Sequence, residues 1–258
     1  MQHEITAPQR LLDQAGNIAE PGFAKKQYWQ YDRADIKAPR FRIKEWDYYY
    51  IGSQDYGLAL TVSDAGYVSS LSISLLGFGD EPFQLNDGAM GMFPLGKLHL
   101  PYTSEKGDIA AAVGNADMSF ANNGTERHLK GQFRNFCKSG EDLTFDILLT
   151  DIPEESMVIA TPFDKKAHFY YNQKINCMAA DGIVRFKGKE YVFRSENGAM
   201  GTLDWGAASG PTTIPGTGAA DRCCSRTETD SVSISGTDSA THRQPAKTCC
   251  FITAVRIS

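Results

Sequence analysis

Three short stretches of this chain carry side chains able to bind a ligand or move a proton. In Leu203-Asp204-Trp205-Gly206 a carboxylate stands beside an indole, whose N–H it could accept or against which it could orient another group. A carboxyl group works as a general acid when burial shifts its pKa upward, and packing against Trp205 is one way to do that. In FYYNQKINCM (169–178), strand alternation puts Tyr170, Asn172, Lys174 and Asn176 on one face. Four polar-tipped side chains on one face either meet solvent or line a polar cavity. Tyr171, Gln173, Ile175 and Cys177 share the opposite face. In KEWDYYY (44–50), Trp46, Tyr48 and Tyr50 alternate with Glu45, Asp47 and Tyr49. The aromatic set reads as the core face and the acidic set as a solvated outer face, because Lys44 and Arg42 stand too nearly adjacent to be obvious partners for a buried Glu45 or Asp47. The residues picked out for a pocket are therefore Trp46, Tyr48, Tyr171, Asn172, Lys174, Asn176, Asp204 and Trp205, with Asp204 the candidate catalytic group.

Other chemistries find no support. His3, His99, His128, His168 and His242 lack metal-ligand spacing, so neither metal nor cofactor is expected. His168 reads as a strand residue. There is no nucleophile elbow, Gly-rich phosphate loop or carboxylate pair of glycosidase type.

The elements that must hold these groups are strands. Leu71, Ile73 and Leu75 alternate with serines, and Leu143, Phe145, Ile147 and Leu149 alternate with Thr144, Asp146 and Thr150, with Leu148 breaking the polar face. This is the period of half-buried strands, apolar inward. Further strands are expected at 41–51, 56–62, 108–119, 128–136, 156–160, 167–178, 182–187 and 190–194, with turns at Ser139-Gly140, Asp181-Gly182 and Lys187-Gly188. No long segment has a helical period. Short strands with tight turns and no intervening helices predict an all-β, antiparallel sandwich or barrel. The expected organisation is an extended N-terminal segment (1–40), a first barrel (41–150), the opening strands of a second, truncated barrel (151–206) and a tail (207–258).

Composition sets limits. The chain has 258 residues, 41% hydrophobic and 22% charged, with a net charge of −5. It is not basic, which disfavours nucleic-acid binding. No apolar run is long enough for a transmembrane helix, and the first twenty residues have no apolar core of a secretory signal, so a cytoplasmic protein is expected.

The character of the chain changes at Gly206. Of 28 Phe, Tyr and Trp residues only Phe251 lies beyond it, while 30 of the last 52 residues are Ala, Ser, Thr, Gly or Pro. Such a tail has little apolar surface to offset its ordering entropy and is expected to be disordered or non-native. The codons suggest why. If one base is lost near Gly206, each original codon joins the third base of one written codon to the first two of the next. Glycine codons then permit Trp, threonine codons Tyr, and alanine codons Gly. The shifted reading permits GRGVWTYHNTWYWG and, further on, GFGFNIGYGFGD, with no forced stop.

KEWDYYYI (44–51), ATPF (160–163), FYYNQKINCM and LDWG together resemble the bacterial family known as domain of unknown function 2804. In that family LDWG is followed by RGVW, an aromatic stretch and GFNIGYGFGD. The written frame lacks these and the shifted frame supplies them, so the resemblance covers residues 1–206. It implies a layout similar to double lipocalin-like proteins such as tocopherol cyclases and carotenoid hydratases, an analogy of fold that carries no function across. The reading that results is a lipocalin-like protein for a hydrophobic small molecule or lipid. A cyclase, hydratase or isomerase acting on an isoprenoid-like substrate through Asp204, with Lys174 or Tyr171 assisting, is the alternative. A structural or interaction module with a fully packed interior is a third.

Overall fold

The computed structural model describes residues 3–210. The polar entry segment forms three short strands, β1 (Gln9–Arg10), β2 (Gly22–Ala24) and β3 (Trp29–Gln30), and two 3-10 turns at Arg33–Asp35 and Arg40–Arg42. Two four-stranded meanders follow. The first is β4 (Ile43–Gly52), β5 (Tyr56–Asp64), β6 (Val68–Gly77) and β7 (Phe83–Met92). The second is β8 (Ile109–Val113), β9 (Ala116–Asn122), β10 (Arg127–Phe133) and β11 (Leu143–Thr150). The described chain ends with β12 (Met157–Pro162), β13 (Phe169–Phe186), β14 (Lys189–Phe193) and β15 (Met200–Ser209).

The protein is all-β. Ten strands run β7-β6-β5-β4-β15-β13-β11-β10-β9-β8 in one antiparallel sheet that nearly closes into a barrel. β15 and β13 stand between β4 and β11, so the strands of 41–150 and those after 156 share one sheet. The two ends of the path approach where Gly91 of β7 meets Val113 of β8. β12 and β14 pair with β13, and β2 adds to β12. No helix among the described residues is long and apolar enough to cross a membrane.

Alternation explains the wall. Leu71, Ile73 and Leu75 of β6 and Leu143, Phe145, Ile147 and Leu149 of β11 are buried. Each such side chain contributes roughly 1.5–3 kcal/mol on burial. Residues 3–40 pack against the strands. Ile5, Leu11, Leu12, Trp29, Tyr31 and Ile36 belong to the same core. The Trp29 carbonyl accepts the Tyr171 hydroxyl at 2.9 Å, and Lys25 pairs with Glu155 at 3.1 Å.

Several local expectations differ from the fold. β7 went unpredicted. Its sequence, FQLNDGAMGM, has no β-branched residue and two glycines. Residues 108–119 are two strands, not one. Asp181-Gly182 makes no turn: β13 runs through it for 18 residues. The glycine serves close packing instead, since a Cβ there would lie 2.7 Å from the Ile147 Cα. The faces of β4 are inverted: Glu45, Asp47 and Tyr49 are buried, and Trp46, Tyr48 and Tyr50 are half-buried on the other side. Within the expected tail, Ala207, Ala208 and Ser209 continue β15 and are buried. Residues 211–258, on which the rest of the tail and reading-frame expectation falls, lie outside the described residues.

β13 also changes parity. Opposite Leu203 and Gly201 of β15 stand Ile175 and Met178, so β13 carries one extra residue, a bulge. Before it Tyr171, Gln173 and Ile175 face inward; after it Met178, Ala180 and Val184 do. Cys177 adopts a positive φ of 62° at the bulge.

Candidate functional site

The three chemistry-bearing stretches are neighbours. β4, β15 and β13 lie side by side, and their register places Tyr48, Asp204 and Lys174 in one row across the sheet and Trp46, Gly206 and Asn172 in the next. Asp204 is the node. Its Oδ1 accepts the Trp46 indole N–H at 3.0 Å and the Asn172 amide at 2.6 Å, and its Oδ2 pairs with the Lys174 ammonium. The side chains of Asp204 and Lys174 keep 22% and 34% of their exposure, so the cluster is a half-buried floor. Asn172 is buried beneath it and also donates to the Trp205 carbonyl at 2.8 Å.

Beside the node, the Trp46 and Tyr170 rings stack with centroids 5.7 Å apart and planes at 28°. Gly206 and Ala208 of β15 face these residues in the register and leave a trough for the rings. A Cβ on Gly206 would collide with the Trp46 indole and reach 2.8 Å from the Tyr171 carbonyl oxygen. The Leu-Asp-Trp-Gly sequence thus divides its labour. Leu203 and Trp205 pack inward, Asp204 gathers donors outward, and Gly206 admits Trp46.

The predicted residues split between the two faces. Trp46, Asn172, Lys174 and Asp204 come together through hydrogen bonds, with Tyr48 opposite Asp204. Tyr171 and Trp205 lie on the inner face, edge to face at 5.5 Å, together with Tyr31 and Trp29. Asn176 sits in the bulge, its Oδ1 buried without a hydrogen-bond partner. His168 lies outside the cluster, in the turn before β13.

The inner face carries a second polar group that the sequence reading had left in solvent. Glu45 accepts the Tyr31 hydroxyl at 2.6 Å and pairs with Arg33. Burial pushes its carboxyl upward, against the pull of Tyr31 and Arg33. Asp47 is buried, and its Oδ1 has no hydrogen-bond partner. Burial pushes its carboxyl up to about 7, opposed by Arg127 and reinforced by Asp204. Arg127 itself donates to the Tyr49 hydroxyl at 3.2 Å and to the Ser104 carbonyl at 2.6 Å. The signal was present in the strict Glu45, Asp47, Tyr49 alternation. What the sequence hid was the identity of the partners, which come from residues 31, 33 and 127.

Among the described residues no three His, Cys, Asp or Glu side chains gather to hold a metal ion. Two surface clefts lie elsewhere. One, of 480 Å³, is over Ala110–Ala112 and Gly131. The other, of 530 Å³, lies between β7 and β14. Neither is lined by a residue of the Asp204 cluster.

A family model described as Domain of unknown function (DUF2804) matches residues 2–209. No curated protein matches the chain. Among solved structures, the crystal structure of a "putative AttH" from Nitrosomonas europaea is similar with a TM-score of 0.46 at 13% identity. The match covers 74% of this chain and 61% of that one, so this chain spans less than two thirds of its length.

Proposed function

The chain belongs to the Domain of unknown function (DUF2804) family, and from its own geometry we propose that it binds a mostly apolar small molecule or lipid on the half-buried face of β4, β15 and β13. The observation that carries this reading is the Asp204 node. A carboxylate holding an indole, an amide and an ammonium fixes a flat aromatic wall next to fixed polar groups. Apolar surface with a few oriented anchors is the usual make-up of a small-molecule site. Trp46 with Tyr170 forms the wall, while Asn172, Lys174 and Asp204 form the anchor and Tyr48 flanks it. Tyr171 and Trp205 brace the sheet from behind. Asn176, with its unpartnered Oδ1 in the bulge, is a further polar contact at the edge.

The proposal extends to the residues after β15. The family match stops at 209, which supports the reading that translation leaves its register close to Gly206. The strands that would complete a pocket over Trp46 and Lys174 are then missing from the written sequence. Resequencing the codons for Trp205 and Gly206 checks the lost base. A cytoplasmic site of action belongs to the same reading, and the exposed Cys137 thiol suits a reducing compartment.

Trp29 and Trp205 are buried, so Trp46 is the indole a ligand on this face would meet. Titration of a dansylated undecanoic acid into the written and the frame-restored chains is expected to give saturable energy transfer from tryptophan, stronger in the restored chain. Transfer should weaken in Trp46→Phe and in Asp204→Ala. Absence of saturable transfer in both chains would overturn the reading.

One observation favours an enzyme instead, and it points to Asp47. Its carboxyl is divided between protonated and ionised forms near neutral pH and keeps a free acceptor, as a proton donor for a cyclase, hydratase or isomerase requires. Asp204, by contrast, spends its oxygens on orienting neighbours. Asp47→Asn would abolish turnover and spare binding in an enzyme; a carrier would show no turnover to lose.

A further inference from the structure

The strand order leaves β7 paired only with β6, and β14 paired only with β13. Between these two edges lies the 530 Å³ cleft, within the roughly 300–1,000 Å³ range of ligand pockets. Its floor is apolar and braced. Phe83 and Leu85 come from β7, Phe186 from the end of β13 and Tyr191 from β14. The Tyr191 ring meets Tyr56 at 5.1 Å and Phe83 at 6.0 Å, edge to face in both cases. Phe186 meets Phe136 in the same way at 5.0 Å. These contacts hold the floor rings in place, so a ligand would meet a formed surface.

The rim is cationic. Lys187 and Lys189 lie in and beside the β13–β14 turn, both exposed, and Lys187 Nζ stands 5.3 Å from the centre of the Phe186 ring. Among the described residues neither lysine has a carboxylate at ion-pair distance. The acids nearby are engaged elsewhere. Glu190 pairs with Arg185 at 2.9 Å, and Asp87 accepts the Cys137 and Gly88 backbone N–H groups, both at 2.8 Å. An apolar trough ending at two unpaired ammonium groups complements one kind of guest: an alkyl chain with a negative head.

We propose that the cleft between β7 and β14 binds a single-chain amphipathic anion of the medium-chain fatty-acid type. Its chain lies against Phe83, Leu85, Phe186 and Tyr191, and its head group lies between Lys187 and Lys189. The site is separate from the Asp204 face and does not depend on it.

Cys137 lines the mouth of the cleft and is exposed, so it reports occupancy. Decanoate, and decanol as its uncharged counterpart, are added to the full chain while iodoacetamide alkylation of Cys137 is followed by residue-resolved mass spectrometry. Decanoate is expected to slow the alkylation saturably, with decanol about tenfold weaker. Lys187→Glu/Lys189→Glu should raise the half-protecting decanoate concentration about tenfold or more, and Lys187→Gln/Lys189→Gln by less, as loss of charge complementarity predicts. Both lysines are exposed, and circular dichroism confirms that the variants keep the sheet. No protection by decanoate, equal protection by decanol, or unchanged protection in the Glu variant would each overturn the proposal. Trp46→Phe should leave Cys137 protection intact. Loss of protection in that variant would mean that decanoate acts from the other face, and the cleft assignment would fall.

Discussion

Single residues on β4, β13 and β15 show how burial decides chemistry. Asp47 and Asp204 are both carboxylates on adjacent strands, yet one has an unpartnered oxygen in the core and the other gathers three donors. The folded chain holds the Asp47 proton up to about pH 7, whereas an unfolded chain releases it near the ordinary carboxyl value of 3.8. Between those values the folded state carries more protons, so this group makes stability fall as pH rises through the window. Asp47→Asn is expected to remove that slope and to be more stable than the parent at pH 8, on the order of a few kcal/mol. Urea unfolding at pH 5 and pH 8 measures it, and an unchanged slope would sink the assignment. Gly206→Ala tests the other carboxylate's surroundings. The new methyl has to displace Trp46 or the sheet, at a cost of about 1–3 kcal/mol, with a shift in Trp46 emission.

Among the elements, the entry segment behaves as a strap that neutralises β4. Arg33→Met leaves Glu45 buried with only the Tyr31 hydroxyl, and should cost about 3–5 kcal/mol by chemical denaturation. Adding Glu45→Leu should recover most of that loss, because the buried charge goes with its partner. The strap also explains how far the sequence could be read. β6 and β11 were legible because their aliphatic residues alternate with polar ones, and alternation is a local property. The KEWD, YYNQK and LDWG stretches stand out in the sequence by their density of polar and aromatic side chains, but which of them share a face depends on the fold: Trp46, Asn172, Lys174 and Asp204 meet on one side of the sheet, and Tyr171 and Trp205 on the other. β4 was misread because indole and phenol rings look like core, and because acidic residues look like surface until Tyr31, Arg33 and Arg127 arrive from elsewhere. The Asp181-Gly182 pair looked like a turn because its glycine could be judged only beside Ile147. The inward–outward assignment of β13 needed the bulge, which no run of residue types announces.

Across the whole described unit, stability should be graded from the centre of the sheet to its edges. β4, β15 and β13 are paired on both sides, whereas β7, β8 and β14 each have one strand partner. Amide exchange is therefore expected to be slowest in 45–50, 171–175 and 203–207, and fastest in 83–92 and 189–193, as edge strands open first. Equal protection across these segments would contradict the topology. The bond between Lys25 and Glu155, and the pairing of Phe23 with Ile159, have a consequence for synthesis. Phe23 and Lys25 leave the ribosome long before the strand that receives them. β2 must wait through some 130 further additions, covered only by local contacts such as that of Ile5 with Phe23. A chaperone would protect this protein more than one in which every strand pairs with the next.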